Sequence, residues 1–537
     1  MSTDFDVIII GSGPAGVSAA YPLVQSGVKV LMVDGQNGIT EKLEPISKPY
    51  LTERKSDENQ WKWILGSKFY SIGQKSNVSP KLRVPAYDYV FKDFLEKNKI
   101  NVKNFVAIGS LAKGGLSNAW GCGVARMSEK EMHSFPFSLS DIEKSYEFVT
   151  RRIGVSGSYS DDLSDYFGLD RWSQPPIDMD HLHTSLLKNY LKQRVKLNLS
   201  EFKLGRSRVA ALSRKLDDRN ACDLSGNCLW GCHQDSLYSA SKEIDSLLKF
   251  SNFKYKSGFI VDAIIKTDSS VEINGEFDFL QKKITAKKIF LAAGTLATTR
   301  LALNALKFSS EVQLQSAPTA AFLLWLPRMI SSSSSNSNGF GLGQLSFTCR
   351  LNKEISAFGS TFSTSGLPVS EFVRYMPFGK RFGIDFLRIF LNSCLVGNVF
   401  LPGSLSTATV SVNKDGVMNI LGGADNNVDS LMSNVEKILR KNYLKMGAVL
   451  LPGSFNLGSP GSGIHYSSTL PMRVNPKIGE TNFIGELKGL DSIYVVDGAS
   501  LSNLSEKSHT LTIMANADRI GRIVASHFQE KNNIAKK

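Results

Sequence analysis

The chain is expected to fold as an α/β protein, with a discontinuous nucleotide-binding domain interrupted by a second, α+β domain. Three observations predict this. A glycine-rich turn, Gly11-Ser-Gly-Pro-Ala-Gly16, lies between a short β-branched run and a helical pattern at the start of the chain. Two further strand-then-helix passages of the same character recur only near residues 288–303 and 493–527. The stretches between differ in texture: 151–205 is polar and aromatic, and 310–455 mixes alternating runs with serine and glycine.

Each element has its own reason. Val7–Ile10 is apolar at every position, as a parallel strand buried on both faces should be. A helix is expected through Val24, then a second buried strand, Val28–Val33, ending at Asp34. Lys288–Ala293 reads as a strand closed by Gly294, with a helix through Leu303. Ile493–Val496 reads as the last strand, with Asp497-Gly498 at its end and a helix from about His509 to His527. The expected division is 1–150 with 206–310 and 456–537 for the nucleotide domain, and 151–205 with 311–455 for a substrate domain. The serine tract Ser331–Ser335 reads as a solvated loop.

A chain of 537 residues is too long for one compact core. Its net charge of +14, from 63 Lys+Arg against 49 Asp+Glu, favours anionic company, but the basic residues are spread thinly. No basic stripe with interleaved aromatics points to nucleic acid. No N-terminal targeting pattern is visible, and six scattered cysteines make no disulfide framework, so a reducing, cytoplasmic location is expected. The most apolar stretches, Ala320–Leu326 and Phe386–Leu401, fall short of a membrane span. They read as buried core, with a monotopic membrane face as the sharper alternative for the second.

The glycine motif carries chemistry. Gly11 permits the tight turn out of the strand, Gly13 admits a pyrophosphate to the backbone, and Gly16 lets helix and sheet pack closely. Pro14 and Ala15 open the helix whose N-terminus receives the phosphate charge. Asp34, at the end of the next strand, is placed to accept ribose hydroxyls. The motif alone does not separate FAD from NAD. A second glycine-rich turn, Lys113-Gly-Gly-Leu-Ser-Asn-Ala-Trp120, and the distal Asp497-Gly498 give three backbone surfaces for one extended dinucleotide.

With DVIIIGSGPAG, GGLSNAWG, FLAAGTLATTRL and YVVDGASLSN…SHTLTIMANADRIG in that order, the chain resembles the glucose–methanol–choline (GMC) oxidoreductase family. Phe135–Gly154 is similar to its bacterial sugar-oxidising branch. The resemblance implies a discontinuous Rossmann-type FAD-binding domain with an inserted α+β substrate domain. It also implies that Gly115, Ser117 and Asn118 lie along the pyrophosphate and isoalloxazine, and that the Val261 backbone meets the adenine. Asp497 and Gly498 would hold the ribityl–pyrophosphate region, and Thr510 would approach the flavin pyrimidine. Ala119 stands where some members attach flavin through histidine, so non-covalent FAD is expected.

Seven histidines are present, and His133, His181, His183 and His527 read as structural. His465 lies in IHYSSTLPM, similar to the family's HxxGTxxM turn, and His509 in KSHTLT, where sugar-oxidising members carry a second histidine. Imidazole, titrating at about 6.5, suits removal of a hydroxyl proton while carbon gives up hydride. The turn departs from the family pattern at Ser468, usually glycine, and at Arg473. Cys222, Cys228 and Cys232 form C-x5-C-x3-C, similar to the spacing that holds a 3Fe-4S cluster in FAD-dependent sugar dehydrogenases. His233 follows the last of them, so zinc or unliganded thiols compete.

The expected function is oxidation of a CH–OH group in a sugar, glycoconjugate or other alcohol. Electrons would pass to an acceptor the sequence does not identify, such as a redox protein or quinone, and peripheral membrane contact fits as a further partner. A nicotinamide dehydrogenase would need a second phosphate-binding turn, which GGLSNAWG is not. A flavin-bound, non-catalytic subunit of a glycan-synthesis complex is the alternative, and the histidine pair argues against it.

Overall fold

The computed structural model describes residues 4–36, 45–66, 71, 79–330, 339–367, 372 and 379–535. The serine tract therefore lies outside the described residues.

The nucleotide-binding half is built from β1 (Phe5–Ile10), α1 (Pro14–Gln25), β2 (Val30–Val33), β3 (Phe253–Lys256), β4 (Leu280–Leu291), α2 (Thr295–Ala305), β5 (Ile493–Val495) and α3 (Thr510–Ala535). β3, β2, β1 and the end of β4 run parallel in that order, and β5 pairs with the same end of β4. Val7, Ile8 and Ile9 are fully buried, which explains why β1 shows no polar alternation. β4 is longer than its apolar core suggested. Its first half joins an antiparallel hairpin with strands Val271–Phe277 and Ile260–Lys266, where charged outward residues hide the strand signal.

The second domain is an antiparallel sheet. Its strands run in the order Val449–Leu450, Thr319–Trp325, Cys394–Phe400, Ser356–Ser363, Leu345–Arg350 and Phe202–Arg206. Helices His181–Leu199 and Val428–Lys445 bury their apolar faces against one side of it, in a core that includes Leu186, Tyr190, Phe322, Phe347, Leu439 and Tyr443. The other side faces the nucleotide-binding half. Phe386–Leu401 divides between the end of helix Lys380–Phe390, a short turn and the central strand Cys394–Phe400. Leu395 and Val399 in that strand are fully buried. Among the described residues, no helix is long and apolar enough to cross a membrane.

A smaller sheet ties the halves together. Ile100–Lys103 pairs with Met418–Leu421, and Tyr466–Ser467 with Val312–Ser316, so strands from distant parts of the chain share one ladder.

α3 packs along α1, and at Gly521 the approach leaves no room for a side chain. A Cβ there would meet the Ala19 carbonyl oxygen and Pro22 Cγ, each at 2.7 Å. Gly521→Val should therefore destabilise the fold by about 1–3 kcal/mol, as overpacking does, while leaving the cavity lining untouched. Urea unfolding of the two proteins checks this. Equal midpoints would show that the helices part without cost.

Candidate active site

A cavity of about 910 Å³ lies between the two halves. Its near wall is the set of turns at the ends of the parallel strands. Gly11 holds φ +111°, and a Cβ on it would fall 2.2 Å from the Ala292 carbonyl oxygen. That contact joins the ends of β1 and β4 and excludes any other residue. Gly13 caps α1 without a side-chain hydrogen bond, and Pro14 occupies the first turn. The uncapped N–H groups of α1 therefore point at the cavity, as an anion site requires. Pro14, Ala15, Val261 and Thr510 line it too. Gly16 does not; its Cβ position is 2.0 Å from the Gly11 carbonyl oxygen, so its part is close packing.

The second glycine turn rests on the first. Gly114 N–H donates to Ser12 Oγ at 3.0 Å, and Gly115 lies against Gly13. Ser117 lines the cavity but is tied on both sides, donating to Gly114 O at 2.6 Å and accepting from Ala240 N at 2.9 Å. Asn118 is not part of the lining. Its amide donates to Lys113 O and Gly115 O, and its carbonyl accepts from Ser239 Oγ at 2.7 Å. Its side-chain polar atoms are thus engaged by its own turn and by Ser239.

Asp34 lines the cavity with its acceptors already engaged by protein. Ser12 Oγ and Tyr255 OH each donate to Oδ2 at 2.5 Å, and Gln36 N donates to Oδ1 at 3.3 Å. Burial pushes its carboxyl above the usual range despite these donors. Asp497 is likewise buried, and its pKa is pushed up to about 6 by desolvation. It accepts from Gly294 N, Thr298 Oγ1 and Ala499 N at 2.9, 2.5 and 3.0 Å.

His465 and His509 meet in the lining of the same cavity, with ring centroids 4.9 Å apart and planes at 71°. They come from different elements: His465 precedes the short strand Tyr466–Ser467, and His509 precedes the first turn of α3. Phe400 stacks on His465 at 4.8 Å. Burial lowers the His465 pKa to about 4, and burial with the neighbouring ring holds His509 well below the ordinary value. Both Nδ1 atoms are buried without a hydrogen-bond partner. The remaining histidines lie elsewhere. His183 is a fully buried partner of Asp180 at a helix start, and His133 and His527 are exposed.

Ser468 resolves the departure from the family turn. It holds φ +65°, the left-handed conformation in which glycine is usual, and Ile464 holds φ +57°. The turn keeps its shape through the hydrogen bond from Ser468 N to Gly498 O at 3.0 Å, against the strain.

The cysteine motif does not form a metal centre. Among the described residues, no three His, Cys, Asp or Glu side chains converge on a point where a metal could sit. Cys228 is buried against the backbone of Gly341, and burial pushes its thiol far up; the Cys222 thiol rises to about 11. Cys232 Sγ contacts Ser236 Oγ at 3.1 Å, and His233 Nε2 is paired with Asp223 at 2.9 Å. The loop braces its neighbours instead. Asn227 accepts from Tyr50 N at 2.9 Å, and Trp230 stacks on Tyr50 at 5.1 Å. The residues expected to bind a 3Fe-4S cluster therefore do not fit one here.

Several lining residues escaped the sequence. The far wall carries Ser346, Ser360 and Asn398, linked by the Ser346–Ser360 hydroxyl contact at 2.9 Å and by Ser360 N donating to Asn398 Oδ1 at 3.0 Å. Lys81 lines the cavity, donating to Trp120 O, and burial pushes its pKa down. Ser346, Ser360 and Asn398 alternate along three strands, a signal usable only once register is known.

Residues 5–112 match the family model for pyridine nucleotide-disulphide oxidoreductases. Over 97% of this chain and 99% of the other, the fold is similar to the crystal structure of pyridoxine 4-oxidase from Mesorbium loti, at a TM-score of 0.58 and 13% identity. No curated protein matches the chain. The family match covers the strand, glycine turn and helix that open the nucleotide-binding half, and the likeness to the solved structure shows a shared two-domain fold.

Two outcomes are expected. Ser468→Gly should stabilise the fold by about 1 kcal/mol, because glycine relieves the left-handed strain; chemical denaturation measures it. Stability should also fall as pH drops from histidine's ordinary 6.5 toward the folded His465 value of about 4, since the unfolded chain binds protons the folded one refuses. His465→Asn should lose less stability than the parent between about pH 7 and about pH 5. An unchanged loss would show that His465 does not titrate as its burial requires.

Proposed function

We propose that the chain is a GMC-type oxidoreductase that binds FAD without a covalent link and oxidises a CH–OH group of a sugar, glycoconjugate or other alcohol. The observation that carries the reading is a pair of neutral imidazoles 4.9 Å apart, lining the same cavity as the uncapped start of α1. The residues fit the cofactor. The α1 N-terminus and the Gly115 turn suit a pyrophosphate, the Val261 backbone suits an adenine, and Asp497-Gly498 with Thr510 suit the flavin end. When bound, the flavin supplies the acceptor for the hydride that leaves the substrate carbon.

The chain's own residues do the rest. Burial keeps His465 and His509 unprotonated at neutral pH, so either imidazole can take the hydroxyl proton as the carbon loses hydride. The alcohol becomes a carbonyl, with the proton on a ring nitrogen and the electron pair on the acceptor. Ser346, Ser360 and Asn398 give the far wall hydroxyl and amide groups suited to a polyhydroxylated substrate, between apolar Phe358 and Phe400. Asn398 donates or accepts through its amide, which favours sugar-like over purely hydrocarbon alcohols.

The test is anaerobic stopped-flow reduction with a panel of sugars and simple alcohols. His509→Ala should keep FAD but lose about 10²–10⁴ in reductive rate, roughly 3–5 kcal/mol of barrier. His181→Ala should match the parent. Equal rates in both variants would refute the assignment, and protein that binds no FAD would remove its premise.

A further inference from the structure

Helix His181–Leu199 carries Lys188, Lys192, Arg194 and Lys196 and not one acidic residue. Leu182, Leu186, Tyr190 and Leu197 enter the core of the second domain. A helix packed on one side is expected to show water a polar opposite face. Here Leu191, Val195 and Leu199 are instead 53%, 74% and 82% exposed. Spaced four residues apart, they form a single stripe, and Lys188, Lys192 and Lys196 repeat at the same spacing beside it.

The last turns of helix Val428–Lys445 lie alongside. Asn189 Nδ2 donates to Met446 O at 2.9 Å, and Ser200 Oγ donates to Asn442 Oδ1 at 3.4 Å. That helix adds exposed Lys437, Lys441 and Lys445, with Leu444 62% exposed among them. The carboxylates nearby are occupied: Asp162 by Arg194, Glu436 by Arg440 at 2.6 Å, and Glu201 by Arg350 at 3.2 Å. Among the described residues, none of the six lysines is in an ion pair.

We propose that this two-helix face docks the protein on an anionic lipid bilayer. Exposed aliphatic residues amid ammonium groups on flexible stems are what an interfacial helix presents, since the stems let the charges reach phosphate while the stripe enters the acyl boundary. Charge complementarity selects this occupant. A second copy would set six unpaired lysines against six more. Nucleic acid would want aromatic platforms in place of Leu191, Val195 and Leu199. The face lies on the side of the sheet away from Ser346, Ser360 and Asn398, so docking leaves the cavity wall free.

The experiment is co-sedimentation of FAD-loaded full-length protein with vesicles of phosphatidylcholine alone or mixed with phosphatidylglycerol. Binding is expected only to the mixed vesicles and should weaken as salt rises. K188Q/K192Q/K196Q and L191S/V195S/L199S should each weaken it by about tenfold or more. K282Q/K283Q/K287Q, on the nucleotide-binding half, should bind as the parent does. All substitutions but those at the half-exposed stripe are at charged surface positions, and FAD content and unfolding midpoint confirm that each variant folds. Equal binding to both vesicle types, or an equal loss in the control, overturns the proposal. So does an L191S/V195S/L199S variant that turns a dimer into a monomer yet still sediments with vesicles.

Discussion

The site depends on one buried carboxylate. Asp497 takes hydrogen bonds from the backbone at Gly294, the hydroxyl of Thr298 and the backbone of Ala499. Those donors fix the start of α2 and the turn that follows β5. The turn in turn holds the histidine segment, because Gly498 O, Ala499 O and Ser500 O accept from Ser468, Leu470 and Met472 N–H groups. Thr295, in the first turn of α2, donates to Tyr466 O at 2.9 Å. His465 is therefore positioned by the same carboxylate that closes the nucleotide-binding turn, and His509 follows on the chain from it. Removing the carboxylate would leave several buried donors without acceptors, at a cost of about 1–3 kcal/mol for each.

Burial then shifts the titration of several groups around the cavity. Desolvation disfavours charge whichever sign it has, so the imidazoles drop and the carboxyls rise. Asp497 moves up to about 6, and Glu506, beside the Lys507–Glu131 pair, up to about 7. The cavity wall thus holds two imidazoles of lowered pKa and two carboxyls of raised pKa, Asp34 and Asp497. Arg208, also in the cavity lining, is a fully buried guanidinium paired with Asp161 and Asp170.

What the sequence made legible follows from how local each signal is. The first strand, its glycine turn and the following helix are a continuous passage in which every residue has a steric reason, and they fold as read. The histidine pair was visible through the motifs around it, because a histidine by itself does not say whether it faces a cavity, as His183 illustrates with its Asp180 partner. The cysteine loop was misread because side-chain chemistry is evident in a sequence, but direction is not. Trp230 rather than the thiols anchors the loop, through its stack on Tyr50. The far wall was hidden because Ser346, Ser360 and Asn398 come from three strands whose pairing only the sheet defines.

The pairing of β1 with β4 carries a further consequence, for how the molecule is made. Val7 sits opposite Lys288, and Val495 opposite Leu291, so β1 acquires its central neighbour only after about 280 further residues have been made. The edge that receives β5 stays open for about 200 residues more. Until then Val7, Ile8 and Ile9 form part of an unfinished hydrophobic surface, with backbone groups free to pair wrongly. The second domain, whose sheet is closed by residues 202–457, is complete earlier and can fold while the other waits. Folding of this half is thus expected to be slow and dependent on chaperones.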